Sequence, residues 1–554
     1  MKTHRHNNFL LVIALLLLCI NDITLAQFMP LSNEETSCTS IMAGRLATTD
    51  GSVITCHSCD GDYRTWLNII PHKKYPAGAT TKILWGTMHT ETPSDLRNII
   101  EKGEIPQVAE TYSYLNVSYP CLNEKQLAMG ETTIGGRREL VNQNGLFLIE
   151  ELQRIALERC TNARDAIKLM GEMAVKYGYG DYGECLTVAD KKEVWQFEIF
   201  GAGAKYNSAV WAAARIPDDH IGVSANTPRI SRLDLKKPDY FMASENVISL
   251  ANEMGFYNPD GGEPFVFWKA YSGRPKAFST REYYVLSTMA PSLKLSMDVN
   301  ELPFSVKPDN KVDVRDVIKY YRETYEGTDF DITKNLIVNS PRRRNQNTVD
   351  DNPGMIKSPV ADPWMSYEMM TMLNTLKPGT VPNYRPIAVP YCSYSQVIQC
   401  RDWLPDEIGG VAFFSFDNPA ESPRIPIYAG ALSLPSNFEI CGQKRYREDA
   451  AVWQFRRTNR LAEIKWGATR KFIEEGVKRY EDKAFTELPM IDKMALELYN
   501  SEKGIEPSSD NNGNPKPAKY REFITNYSND FARSAMSEWW EMGNIFFTMF
   551  SKGF

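Results

Sequence analysis

The chain has 554 residues, 43% hydrophobic and 11% aromatic, enough to bury a large core in roughly two to four domains. Its 63 Lys and Arg against 69 Asp and Glu leave a formal charge of -6, and no stretch sets basic residues among aromatics as a nucleic-acid groove requires. Ten cysteines in such a length are too sparse for a disulfide scaffold, and no repeat of fixed period is present.

The first elements concern export. A basic start, MKTHRH, an apolar run, FLLVIALLLLCI, and the small-residue site TLA before Gln27 have the layout of a cleaved signal peptide over residues 1–26. The run is too short to span a bilayer, and no later segment is apolar for long enough, so an exported periplasmic or extracellular protein without a membrane span is expected. A lipid anchor at Cys19 is the weaker reading, because LLLC lacks a small residue just before the cysteine. The stub 27–37 then separates the signal from Cys38 and reads as a propeptide.

From Cys38 the chain runs CTSIMAGRLA, TTDGS, VITCHSCD, two strand-like runs about Asp50-Gly51, a strong two-residue hairpin signal. That turn sets Cys38 opposite residues 60–63 and brings Asp60 near it. Strand-like series follow at 83–90 and 109–133, then a helical block at 145–178 ending on Gly178. Two strand pairs come next, one about Asp190 and one about Pro217–Asp219. The segment 235–375 is mixed, with helices expected at 241–254 and 312–325. Strands return at 384–430, and the chain is helical after about 445, with a linker, SEKGIEPSSDNNGNPKPA, before an aromatic-rich last helix. Strands, helices and strands again suggest sheets covered by helices. The aromatic tail packs on the catalytic body or marks a homo-oligomer interface. The basic run SPRRRNQN at 340–347 reads as a solvated loop.

Histidine supply narrows the chemistry. After signal removal only His57, His72, His89 and His220 remain, H-E-x-x-H and G-x-S-x-G are absent, and no phosphate-binding glycine loop lies between a strand and a helix. Cys56 and Cys59 form a lone C-x-x-C, which lacks the second half of a structural zinc site; the pair reads as packing, or as a disulfide stiffening the strand end. No metal and no organic cofactor are expected. A nucleophile can instead draw its base from its own backbone, since a free α-amino group titrates near about 7.7 to 8.0 and a cysteine near about 8.5. Cleavage at Ser37–Cys38 supplies that amine, whereas a buried structural cysteine is the plainer alternative for Cys38.

With Cys38-Thr39 at the mature start, TTDGSVI, HSCDGDYRTW, LNEKQLAMGETTIGGR, EVWQFEIFG, ARIPDDHIGVSANTPRI and RDWLPDEIGGVAFF, the chain resembles the cysteine dipeptidases related to bacterial dipeptidase A. These are relatives of penicillin V acylase and bile salt hydrolase among the N-terminal nucleophile hydrolases. The resemblance covers most of residues 38–430. It implies an α+β fold, a four-layer αββα sandwich over 38–440 with a helical extension at 441–554, hydrolysing C–N amide bonds of small peptides. By position it implies Cys38 as nucleophile and base, Asp60 beside the amine or thiol, Asn226 in the oxyanion hole and Arg281 as a cation near the cysteine. The acylase relatives carry arginine where this chain has His57, so a fixed charge is missing at that position. In GETTIGGRR, Glu131 and Arg137 are candidate substrate contacts, Arg137 for a carboxylate. An acylase of N-acyl amino acids, penicillin V or bile conjugates, and a non-catalytic binder of the same fold, are the alternatives.

Overall fold

In the computed structural model, which describes residues 38–340, 354–504 and 516–551, the segment opening on Cys38 is a central strand rather than one arm of a tight hairpin. The expected signal peptide (1–26) and propeptide (27–37), residues 341–347 of the basic run and residues 505–515 of the linker lie outside the described residues. Ser40–Ala43 is flanked by Val53–Asp60 and Ile221–Ser224, antiparallel to both. Ala43 faces Ile54, where the expected two-residue turn sets it against Ser58. A loop over 44–52 replaces that turn. Gly51 adopts the left-handed φ of 86° but Asp50 does not, and the Asp50 carboxylate instead accepts from Ser52 N at 3.0 Å. Other elements take up the loop backbone, with Leu46 N–H donating to Asp218 O and Thr49 N–H to Val312 O. The shift is an even number of residues, so every side chain keeps its face.

Two antiparallel sheets result. The first, of seven strands, runs in the order Ser305–Val306, Ile221–Ser224, Ser40–Ala43, Val53–Asp60, Cys392–Cys400, Val411–Phe416, Ile425–Tyr428. The second, of eight, runs from Phe241–Ala243 through Ala209–Ile216, Val194–Gly201, Glu184–Ala189 and Ala128–Thr133 to three short strands ending at Asn68–Ile70. Period-two alternation divides their side chains. Ile41, Ala43, Ile54 and Cys56 pack outward with Val285, Leu286, Val317 and Ile318 of the helices Thr280–Met289 and Val314–Tyr321. Met42 and Val53 point inward and share a core with Met129, Leu186 and Val188. Helices Ile149–Arg159 and Ala163–Tyr177 cover the second sheet, completing four αββα layers.

Several elements differ from the sequence expectation. The 145–178 block is two helices, because Asn162 caps the second by accepting from Asp165 N at 2.9 Å. Within 241–254 the chain forms a strand, Phe241–Ala243, and only a short helix, Ser249–Glu253. The runs either side of Pro217–Asp219 do not pair with each other: Ala209–Ile216 belongs to the second sheet and Ile221–Ser224 to the first, so this corner carries the chain between sheets. Cys56 and Cys59 point to opposite faces of their strand, one in the outer core and one in the inner, and both are free thiols rather than a disulfide.

The last helices, Ala451–Glu463, Trp466–Glu502 and Lys519–Ser551, pack against one another and against the far strands of the first sheet. Phe416, Phe455 and Trp539 stack in succession, and the Trp539 indole donates to Glu421 O at 3.0 Å. Among the described residues no helix is long and apolar enough to cross a membrane.

The sheets meet backbone to backbone at Gly130, where an added Cβ would stand 2.1 Å from Cys56 O and 2.7 Å from Thr187 Oγ1. The obstacle is backbone, which no rotamer change relieves. Gly130→Ala is therefore expected to lower stability by about 1–3 kcal/mol or more, read as a shifted denaturant midpoint.

Candidate active site

Cys38 stands at the head of the central strand, with a functional group on each neighbouring strand. Ser40 pairs with Ser224, and continuing that antiparallel register two residues sets Asn226 opposite Cys38. On the other side, the Thr39–Ser58 bridge brings Cys38 beside Cys59 and Asp60. Even-numbered residues of this strand face the second sheet, as the Ser40 hydroxyl shows by donating to Glu131 O at 3.1 Å. The Cys38 sulfur accordingly lies between the sheets, within 4.8 Å of a His57 ring nitrogen and a Glu131 carboxylate oxygen.

Asp60 closes a short polar chain. Thr39 N–H donates to Ser58 Oγ at 3.0 Å, and Ser58 Oγ–H donates to Asp60 Oδ2 at 3.1 Å. Arg385 Nη2 donates to the same oxygen at 2.6 Å. Asp60 Oδ1 is buried and has no hydrogen-bond partner. A carboxyl group with one oxygen satisfied and the other idle is an acceptor prepared for a further donor.

Arg281 and Asn226 lock each other. Arg281 donates through Nη1 to Cys38 O at 2.6 Å and Thr39 Oγ1 at 2.9 Å, and through Nη2 to Ala225 O at 3.1 Å and Asn226 Oδ1 at 2.9 Å. Because arginine only donates, the atom it meets on Asn226 must be the oxygen, which fixes the amide orientation. Asn226 Nδ2 donates one hydrogen to Thr133 O at 2.7 Å and retains a second. Asn226 holds φ at 63°, the left-handed region, which the surrounding bonds maintain. Arg281 is supplied by the first turn of Thr280–Met289, whose capping box is made by Ser279 and Glu282. Glu282 also accepts from Ala225 N at 2.8 Å and from the Thr227 hydroxyl, so one carboxylate holds both the helix start and the Asn226 loop.

His57 and Glu131 join across the two sheets. His57 Nδ1 is 2.6 Å from Glu131 O and 3.2 Å from Glu131 N; a carbonyl cannot donate, so the shorter contact puts the proton on Nδ1. Nε2 keeps its lone pair and is buried without a partner. The ring packs against Tyr119 and Tyr394, and burial draws its pKa down to about 4, so the imidazole is neutral. The imidazole therefore supplies no fixed charge here, and cations reach the site through Arg281 and Arg385 instead. Glu131 is fully buried beside the equally buried Glu184, and burial pushes its pKa upward. Burial first, then Glu131, Cys59 and Asp60, push the Cys38 thiol well above its ordinary value; the Asp60 backbone N–H acts the other way. The thiol is thus protonated unless a base takes its proton.

The sequence-derived residues Cys38, His57, Asp60, Glu131, Asn226 and Arg281 converge. Arg137 stands apart, its guanidinium donating to Ala270 O at 2.6 Å and stacked over Phe256. Sequence reasoning missed Arg385, Glu184 and Glu282. Only Glu282 has a local signal, the S-x-x-E capping pattern at 279–282.

The profile of Peptidase family C69 matches residues 37–479. The chain belongs to peptidase family C69. It is a hydrolase of peptide bonds. A probable dipeptidase of Latilactobacillus sakei is 24% identical over 483 residues, covering 83% of this chain and 88% of that protein. A probable dipeptidase of Salmonella dublin is 25% identical over 414 residues, covering 71% and 81%. A probable dipeptidase B of Streptococcus pyogenes serotype M1 is 23% identical over 436 residues, covering 77% and 78%.

Arg281→Met leaves four acceptors, three of them buried, without their shared donor. It is expected to destabilise the fold by about 3–5 kcal/mol, measured by denaturant unfolding, whereas replacing the exposed Arg97 is expected to leave the midpoint nearly unchanged.

Proposed function

We propose that the protein is an exported cysteine dipeptidase whose nucleophile, Cys38, becomes active when cleavage at Ser37–Cys38 frees its α-amine. The observation that carries the reading is the idle, buried Asp60 Oδ1 beside the head of the Cys38 strand. Asp60 is braced by Arg385 and Ser58 and offers a new α-ammonium group a charge-assisted partner. The amine takes the thiol proton, directly or through water, and no imidazole is required.

Sulfur attacks the peptide carbonyl while its proton passes to the α-amine. The tetrahedral oxyanion accepts a hydrogen bond from the second Asn226 Nδ2–H. Collapse breaks the C–N bond, and the α-ammonium returns its proton to the leaving amino acid. Water then attacks the thioester, gives a proton to the α-amine, and the acid product departs as the thiol reforms.

The buried carboxyl of Glu131 favours dipeptides over N-acyl amides. In a dipeptide a single Cα separates the attacked carbonyl from the free α-ammonium, so a carboxylate within 4.8 Å of the sulfur is placed to receive that charge. An N-acylated substrate has no such charge and leaves the carboxyl desolvated without return.

Intact-mass and N-terminal analysis of the secreted protein is expected to find Cys38 first, and Cys38→Ala is expected to abolish turnover. Active protein still carrying residues 27–37 contradicts the reading. Asn226→Ala is expected to lower kcat about 100- to 1000-fold. In a substrate panel, free dipeptides are expected to be cleaved and their N-acetyl derivatives, penicillin V and bile conjugates spared. Glu131→Gln should raise KM for dipeptides and narrow that difference.

A further inference from the structure

The Cys38 environment contains more ligating power than the hydrolytic cycle uses. A sulfur, an imidazole nitrogen and a carboxylate oxygen, from Cys38, His57 and Glu131, lie within 4.8 Å of one another. The three residues come from three strands of two sheets, so no spacing motif in the sequence announces them. His57 Nε2 and Glu131 Oε2 are buried and lack any hydrogen-bond partner, while His57 Nδ1, 4.0 Å from Glu131 Oε2, is taken by Glu131 O. Unsatisfied lone pairs in a buried pocket are costly, and a cation is one way to satisfy several at once.

The surroundings match what a cation-binding histidine needs. A ligating imidazole ordinarily donates its other ring N–H to a carboxylate or a backbone carbonyl, which fixes its tautomer. His57 Nδ1–H does so to Glu131 O at 2.6 Å, and Tyr119 and Tyr394 hold the ring plane. The backbone approach at Gly130 makes this bond possible, so the imidazole is preset by the fold and not by a ligand. A mixed sulfur, nitrogen and oxygen set suits a borderline or soft divalent ion better than Mg2+ or Ca2+, which take oxygen. Bond lengths of about 2.0–2.3 Å require a tetrahedral donor set to draw in by roughly 1 Å from the present separations, a side-chain adjustment.

We propose that Cys38, His57 and Glu131 together bind one thiophilic divalent cation, Zn2+ or Cd2+, and that the bound ion blocks hydrolysis by capping the Cys38 sulfur. Binding replaces the thiol S–H bond with a metal–thiolate bond and releases the proton to solvent. The binding part stands without the dipeptidase reading; only the inhibitory consequence rests on it.

The test uses the reduced, full-length secreted protein and Cd2+ as probe. Saturable binding of one ion is expected, seen as the ultraviolet thiolate-to-Cd2+ charge-transfer band, with Zn2+ displacing it and EDTA reversing it. Cys38→Ser is expected to lose the band while reporting the background of the other thiols. His57→Gln and Glu131→Gln are each expected to weaken binding at least about 10-fold. Because Glu131 lies on a different strand, its near-isosteric variant gives an independent reading if the His57 variant fails to fold. Dipeptide turnover, where present, should be inhibited by Zn2+ over the same concentration range as the displacement. A band that survives Cys38→Ser unchanged, or equal affinity in wild type and both Gln variants, overturns the proposal. Failure of turnover with normal Cd2+ binding counts against the dipeptidase reading alone.

Discussion

The contact on which the rest depends is the backbone approach of the two sheets at Gly130, where even a methyl group would collide with Cys56 O. Around it the inter-sheet space is stitched by polar bonds rather than by apolar packing alone. Thr55 and Thr187 hydroxyls meet at 2.6 Å, Thr132 and Ser224 hydroxyls at 2.6 Å, and His57 Nδ1 meets Glu131 O at 2.6 Å. Each bond requires the sheets to remain at this separation and in this register. The head of the Cys38 strand opens into the same layer, and its chemistry is set by the low dielectric found there.

That environment raises a difficulty and indicates its solution. A sulfur among buried acids retains its proton, and His57, whose pKa burial draws down to about 4, is too weak a base to hold it. Arg281 does not ionise the thiol by itself, since its hydrogen bonds are spent on the Cys38 carbonyl and on the Asn226 loop. Under the proposed function, the missing base arrives covalently attached to the nucleophile, and Asp60, held by Arg385, receives it. Catalytic readiness is then governed by one peptide bond rather than by a conformational change.

Much of this arrangement was legible in the sequence, for reasons that differ by residue. Cys38 and Asp60 sit at the ends of strands that follow one another in the chain, so local pairing brings them together even though the turn at Asp50-Gly51 opens into a longer loop; Asn226, after the distant strand Ile221–Ser224, was reachable only through the family resemblance. The error in the turn was harmless because a register shift of even length preserves faces. Arg385 was invisible because it meets Asp60 across 325 residues of chain, from a loop with no pattern of its own. Glu184 was invisible because a strand acid facing a second acid violates the usual alternation of buried apolar residues, and only the sheet order places it against Glu131. Pro217–Asp219 looked like a hairpin because a corner between sheets and a turn within one use the same residues.

The central claim, that the thiol is silent until its own amine is freed, is tested most directly by the pH dependence of Cys38 alkylation by iodoacetamide, followed by mass spectrometry in uncleaved and cleaved protein. The account predicts that Cys38 in the uncleaved chain resists alkylation at neutral pH and that cleavage at Ser37–Cys38 makes it reactive there. Equal reactivity of the two forms at neutral pH would contradict it.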